Sequence, residues 1–167
     1  MQTKVAITTI LDTTLERAFK TPMLCDIRRI HTGSAITPAV THCTDDETWG
    51  QPGGSRKVHM AKTWNFKGGE ASLDTVLERR ENAYWKIVVS DFKTFSMGFE
   101  KFQGEWFTKQ LPDGKIEVLY VYTMFSHSVL LYPFHWFFTK VLWKGYMKQV
   151  MRNIIQLIDE QAPYLHA

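Results

Sequence analysis

Covalent or metal support for a fold is scarce in this chain of 167 residues. It has two cysteines, Cys25 and Cys43, with no metal-like spacing. That excludes a disulfide scaffold and reads as free thiols in a reducing compartment. The histidines (His31, His42, His59, His127, His135 and His166) show no ligand spacing either, so no metal is expected. Catalytic and nucleotide signatures are missing: there is no Gly-x-x-x-x-Gly-Lys, no Rossmann glycine fingerprint, no Gly-x-Ser-x-Gly and no His-Glu-x-x-His. The expectation is no cofactor and no catalytic residue recognisable by motif. Charge of one sign is also lacking. The net charge of +3, from 20 basic and 17 acidic residues, is too mild to argue for nucleic acid. The segment from Met1 to Ile10 lacks the charged, apolar and small-residue regions of a signal peptide. The longest apolar stretch, Val129 to Trp143, is broken by His135, Thr139 and Lys140 and falls short of the roughly 20 apolar residues of a spanning helix. A soluble, cytoplasmic protein is expected.

What is present is ordinary except in one respect. Hydrophobic residues at 44% and charged residues at 22% exclude disorder. The length suits a single domain over 1–167, able to bury enough surface to fold without staples. The aromatic share, 14%, is high. Aromatic side chains fill cores, but they also line apolar cavities and sit at membrane interfaces.

The periodicities place the elements. Val5–Leu11, rich in Ile, Val and Thr, reads as a strand. Asp12 or Thr13 caps a short helix that ends before Pro22, with Thr13-x-x-Glu16 as its capping box. Thr21-Pro22 opens a second helix through Ile30, stopped at Gly33. Ser34–Gly54 reads as polar loops. A period of two then predicts strands at Arg56–Asn65, Ala71–Arg80, Tyr84–Phe92, Phe95–Gln110 and Ile116–Phe125, joined by short turns. A helix of nearly 30 residues runs from Pro133 to Gln161, on the order of 40 Å long.

This order resembles the START and Bet v 1-like (SRPBCC) superfamily, and within it the polyketide cyclase/dehydrase-type branch. The residues that carry the resemblance are Val5-Ala6-Ile7-Thr8-Thr9-Ile10, the helix pair ending near Gly33, and Pro52-Gly53-Gly54-Ser55-Arg56-Lys57-Val58. Asp113-Gly114-Lys115-Ile116-Glu117-Val118 and Leu130-Leu131-Tyr132-Pro133-Phe134 before a basic terminal helix complete it. The resemblance implies an α+β helix-grip fold. In that fold a curved antiparallel sheet wraps a long C-terminal helix and leaves a hydrophobic cavity between them. It implies binding or transport of an apolar molecule such as a lipid, isoprenoid or polyketide. The alternatives are a cyclase or dehydratase of the same fold, and an interaction module resembling chaperone ATPase activators.

At 100° per residue Trp136, Trp143, Tyr146, Met147, Val150, Ile154, Leu157 and Ile158 share one helix face, which should lie on the sheet. With inward strand faces carrying Trp64, Ile87, Tyr120 and Tyr122, the expected cavity residues are Trp64, Ile87, Tyr120, Tyr122, Trp143, Met147, Val150 and Ile154. Arg56, His59, Asp91, Tyr120 and Tyr122 are the strand residues able to place a polar group inside. Phe134, Phe137, Phe138 and Val141 lie opposite the helix stripe and read as a gate or interface. Their expected cover is the Ser34–Gly54 loops, a second copy in a homodimer, or a membrane. Lys140, Lys144, Lys148 and Arg152 recur at i+4, either as a solvated flank or as contacts to anionic lipid.

Overall fold

The structure, a computed structural model, describes residues 1–64, 66–93 and 97–166, with Asp45 described by its backbone alone. Seven strands form one antiparallel sheet: β1 (Gln2–Leu11), β2 (Val40–Asp45), β3 (Ser55–Met60), β4 (Gly69–Arg80), β5 (Tyr84–Ser90), β6 (Phe99–Gln110) and β7 (Ile116–Ser126). Their order across the sheet is β1-β7-β6-β5-β4-β3-β2. Helices α1 (Leu15–Leu24) and α2 (Ile27–Ile30) connect β1 to β2. After β7 come α3 (Tyr132–Phe137), a π-helical segment (Phe138–Trp143) and α4 (Lys144–Asp159). This is the α+β arrangement of a meander and a long terminal helix that the sequence predicts.

The strands differ from the sequence reading in places. β2 lies inside the Ser34–Gly54 stretch expected to be loop. It is short and polar and pairs with β3 alone, so its alternation is faint. β3 stops at Met60 rather than continuing to Asn65. Asn65 and Phe95, the expected ends of two strands, lie outside the described residues; β6 is described from Phe99.

The first helices differ more. Thr14, not Asp12 or Thr13, caps α1, its side chain accepting from the Arg17 N–H at 3.2 Å. Pro22 sits inside this helix rather than at the start of the next. A proline has no N–H, so Ala18 C=O loses the donor four residues on. The Trp106 indole N–H donates to that carbonyl at 3.1 Å. Two further indoles act alike: Trp85 donates to Phe19 C=O at 2.8 Å and Trp49 to Met23 C=O at 3.0 Å. All three tryptophans are buried. Three side chains from the sheet side thus hold the backbone of α1.

The terminal helix is not one α-helix. In an unbroken one, residues seven apart share a face, which puts Trp136 with Trp143. A π turn, bonded i to i+5, spends more residues per revolution. His135, eight places before Trp143, therefore takes the inward position and is buried, while Trp136 is 47% exposed. The same slip turns Phe138 inward. Thr139, buried in the π segment, meets Thr3 of β1 with 2.7 Å between the hydroxyls and donates to Met124 Sδ at 3.2 Å.

Trp106→Phe should destabilise the fold by about 1–3 kcal/mol, because a buried carbonyl loses its donor. Pro22→Ala returns a backbone N–H at that turn. The double variant should therefore lose less than the sum of the two single changes in urea unfolding. Strict additivity would refute this role for the indole.

Candidate functional site

A cavity of about 610 Å³ lies between the sheet and the terminal helix. Strand register explains its wall. Ile87 on β5 sits opposite Gly104 on β6, which sits opposite Tyr122 on β7. The next inward row is Trp85, Trp106 and Tyr120. Gly104 lets the row pack closely: a Cβ there would lie 3.1 Å from Ile87 Cγ1 and 3.3 Å from the Tyr122 ring, so one of those side chains would have to shift. The helix side supplies Phe138, Leu142, Trp143, Tyr146, Val150 and Ile154, and α1 and α2 close one end with Met23, Ile27 and Ile30. Trp143 joins the two sides, with its ring 5.3 Å from Tyr122, 5.2 Å from Phe102 and 5.1 Å from Tyr146.

One region of this apolar wall is polar. Arg56 on β3 pairs in register with Asp74 on β4, and their side chains approach to 3.5 Å. Both are buried. The Arg56 guanidinium also lies 3.8 Å over the Trp49 ring, a cation–π contact strengthened by loss of water. Tyr120, Tyr122, Tyr146 and half-buried His31 line the cavity with them. His31 Nδ1 is 2.6 Å from Tyr146 Oη. Among the described residues that line the cavity, two carry a buried donor without a partner: Arg56 Nε and Trp143 Nε1.

The expected cavity residues fall into three groups. Ile87, Tyr120, Tyr122, Trp143, Val150 and Ile154 line the cavity. Met147 is fully buried but is not among the lining residues; it packs in the core beside the wall. Trp64 borders the cavity from a loop and is 94% exposed, because β3 ends before it and the alternation cannot carry through. Of the polar candidates, Arg56, Tyr120 and Tyr122 line the cavity. His59 stacks on His42 at 4.1 Å, one residue out of phase with the inward Val58, and Asp91 is exposed and paired with Lys93. Asp74 and His31 were missed. Asp74 follows Ser72 and precedes Val76 at period two, a signal that a register estimate across the β3–β4 turn could have found.

The set read as a gate or interface is divided. Phe138 is buried and lines the cavity. Phe134 lines the cavity and is 41% exposed. Phe137 and Val141 are exposed, so the Ser34–Gly54 loops do not cover them. Lys140, Lys144, Lys148 and Arg152 are all exposed. No helix among the described residues is long and apolar enough to cross a membrane.

This architecture is shared with known structures. Ara h 8.0201 superposes with a TM-score of 0.70 at 14% identity, over 96% of this chain and 99% of its own. A protein of unknown function from Staphylococcus aureus gives 0.72 at 12% identity, over 96% of both chains. Norcoclaurine synthase from Thalictrum flavum, solved as a point mutant with a transition-state analogue, gives 0.69 at 7% identity, again over 96% of both. The chain has the Bet v 1-like helix-grip fold. No protein-family model matches the sequence, and no curated protein is similar to it. At these identities the likeness is one of fold, and the polyketide cyclase branch rests on the sequence resemblance alone.

Burial holds the tyrosine hydroxyls and the His31 ring of this Bet v 1-like cavity in their neutral forms. Burial pushes the Tyr122 hydroxyl up to about 12 and moves Tyr120 and Tyr146 up as well, so all three stay hydrogen-bond donors. Burial first, and the Arg56 charge second, push His31 down to about 3 from its ordinary 6.5. An unfolded chain takes up a proton at His31 below 6.5, whereas the folded one does not until about 3. Stability from this ring is therefore complete above pH 6.5 and is lost progressively as pH falls toward 3. His31→Gln keeps a polar group facing Tyr146 but cannot titrate. It should remove a slope of up to about 1.4 kcal/mol per pH unit in that window. Urea unfolding at a series of pH values checks this, and an unchanged slope would count against a neutral His31.

Proposed function

We propose that this chain binds an amphipathic small molecule in the cavity. Its hydrocarbon body, of lipid, isoprenoid or polyketide type, lies among Ile87, Tyr122, Trp143, Val150 and Ile154. Its hydrogen-bond-accepting head, a carboxylate, carbonyl or hydroxyl, sits at Arg56. The observation that carries this reading is the buried Arg56 guanidinium, with Nε unpartnered among the described residues, at the wall of a mainly apolar cavity. Buried polar groups are normally satisfied, and a charged guanidinium at the wall of a cavity suits a ligand that brings an acceptor. Trp143 Nε1 offers a second donor of the same kind. The tyrosine hydroxyls, held protonated, add donors rather than bases. The size fits as well, since small-molecule sites span about 300–1,000 Å³. Norcoclaurine synthase, with its transition-state analogue, shows that the same fold can hold a small molecule. Trp64 and Phe134, exposed at the cavity's edge, stand where a ligand would enter.

The neutral fluorophore N-phenyl-1-naphthylamine should bind the purified chain and be displaced by a long-chain fatty acid more readily than by the matching alkane. Arg56→Met alone would strand the Asp74 charge, so the variant to use is Arg56→Met/Asp74→Leu, which removes the pair together. It should keep the fluorophore and lose fatty-acid affinity ten- to hundredfold, the equivalent of the about 1.5–3 kcal/mol of a hydrogen bond to a charged group. Failure of the wild type to bind the fluorophore would end the cavity reading. Unchanged fatty-acid affinity in the variant would end the role of Arg56.

A further inference from the structure

Apolar side chains are exposed in unusual number around one end of the terminal helix. Leu130 is 93% exposed and Val129 72%, in the loop before α3. Trp136, Phe137 and Val141 follow, each close to half exposed. Exposed apolar groups scattered singly are ordinary, but a run of them along one segment marks a contact surface. The same segment is charged in one sense only. Between Glu117 and Asp159 the sequence holds no carboxylate, while Lys140, Lys144, Lys148 and Arg152 fall in this span. None of the four has an ion-pair partner among the described residues, and like charges at i+4 cost the helix a few tenths of a kcal/mol each. Lys4 of β1 joins Lys140 and Lys144 around a second hollow of about 360 Å³ and adds to the same field.

We propose that this face docks on a lipid surface bearing anionic headgroups. Leu130, Trp136, Phe137 and Val141 enter the interface, and Lys140 and Lys144 meet the headgroups. Phe137, Lys140, Val141 and Lys144 are all exposed within the short stretch 137–144, which keeps the apolar and basic side chains close together. A lipid surface fits better than a second copy. A twofold contact sets a patch against itself, which would face these lysines with their own equivalents. An anionic surface instead complements them and takes up the aromatic rings, as interfacial helices do. The docking rests on the patch alone. Phe134 belongs both to this exposed segment and to the cavity wall. If the cavity holds a lipid-like molecule, as proposed above, docking would bring its edge to the source of the ligand.

Flotation of the full chain with phosphatidylcholine vesicles, with and without added phosphatidylglycerol, at low and high salt, tests this. The chain should float with the anionic vesicles at low salt and be released by high salt. Lys140→Ala/Lys144→Ala should weaken partitioning roughly fivefold for each lysine removed, and Leu130→Ser/Phe137→Ser should abolish it. All four side chains are exposed, so both variants should keep the wild-type circular dichroism and melting temperature. Both should also bind N-phenyl-1-naphthylamine in solution as the wild type does, which separates failure of docking from failure of the cavity reading. A wild type that stays unfloated at low salt overturns the proposal, as does undiminished flotation of the lysine variant. Sedimentation showing self-association that Leu130→Ser/Phe137→Ser abolishes, without flotation, would overturn it in favour of a second copy.

Discussion

Three indole N–H groups from the sheet side hold the backbone of α1, and the shape of the interior depends on them. A sheet with one helix laid across it could collapse into solid core. Here Trp106, Trp85 and Trp49 fix the carbonyls of Ala18, Phe19 and Met23 at hydrogen-bonding distance. The end wall of the cavity is therefore positioned by directional bonds rather than by filling the space behind it. Pro22 belongs to the same device, since its missing N–H leaves Ala18 C=O for Trp106. The large rings also serve as wall: Trp85 and Trp106 both line the cavity. One residue type thus provides apolar surface and a polar anchor together.

The buried arginine is the opposite kind of feature. Burying a guanidinium in an apolar wall is costly unless it is paired and hydrogen-bonded. Asp74 and the Trp49 face offset part of that cost, but the 3.5 Å separation is long for an ion pair of this type. A pair selected for stability alone would be closer and fully bonded. Arg56 Nε is left without a partner among the described residues, and the Arg56 charge adds to the burial that lowers the affinity of His31 for protons.

Most of the architecture was legible because antiparallel strands alternate. The inward placement of Ile87, Tyr120 and Tyr122 follows from period two within strands whose ends are marked by turns. Trp64 shows the limit of that argument, since alternation says nothing once β3 has ended. The Arg56–Asp74 pair was only half visible. Arg56 stood out as a charged residue on a strand, but its partner depends on register across a turn, and register is a tertiary quantity. Trp136 was misplaced because a sequence shows a helical period without showing that one turn is π rather than α. The inward positions of His135 and Phe138 follow from that single turn.

That turn gives the terminal helix two frames joined at one point. Downstream of it, α4 keeps the spacing that packs Tyr146, Val150 and Ile154 on the sheet. Upstream, α3 is rotated relative to that frame by the extra residue, and this rotation leaves Trp136 facing out. Removing one residue from the Phe138–Trp143 segment would bring α3 back into the frame of α4. His135 would leave its place against Phe99, and Trp136 would turn toward the sheet. The length of a single helical turn therefore sets which aromatic rings belong to the interior and which to the surface, a quantity that a one-residue insertion or deletion changes directly.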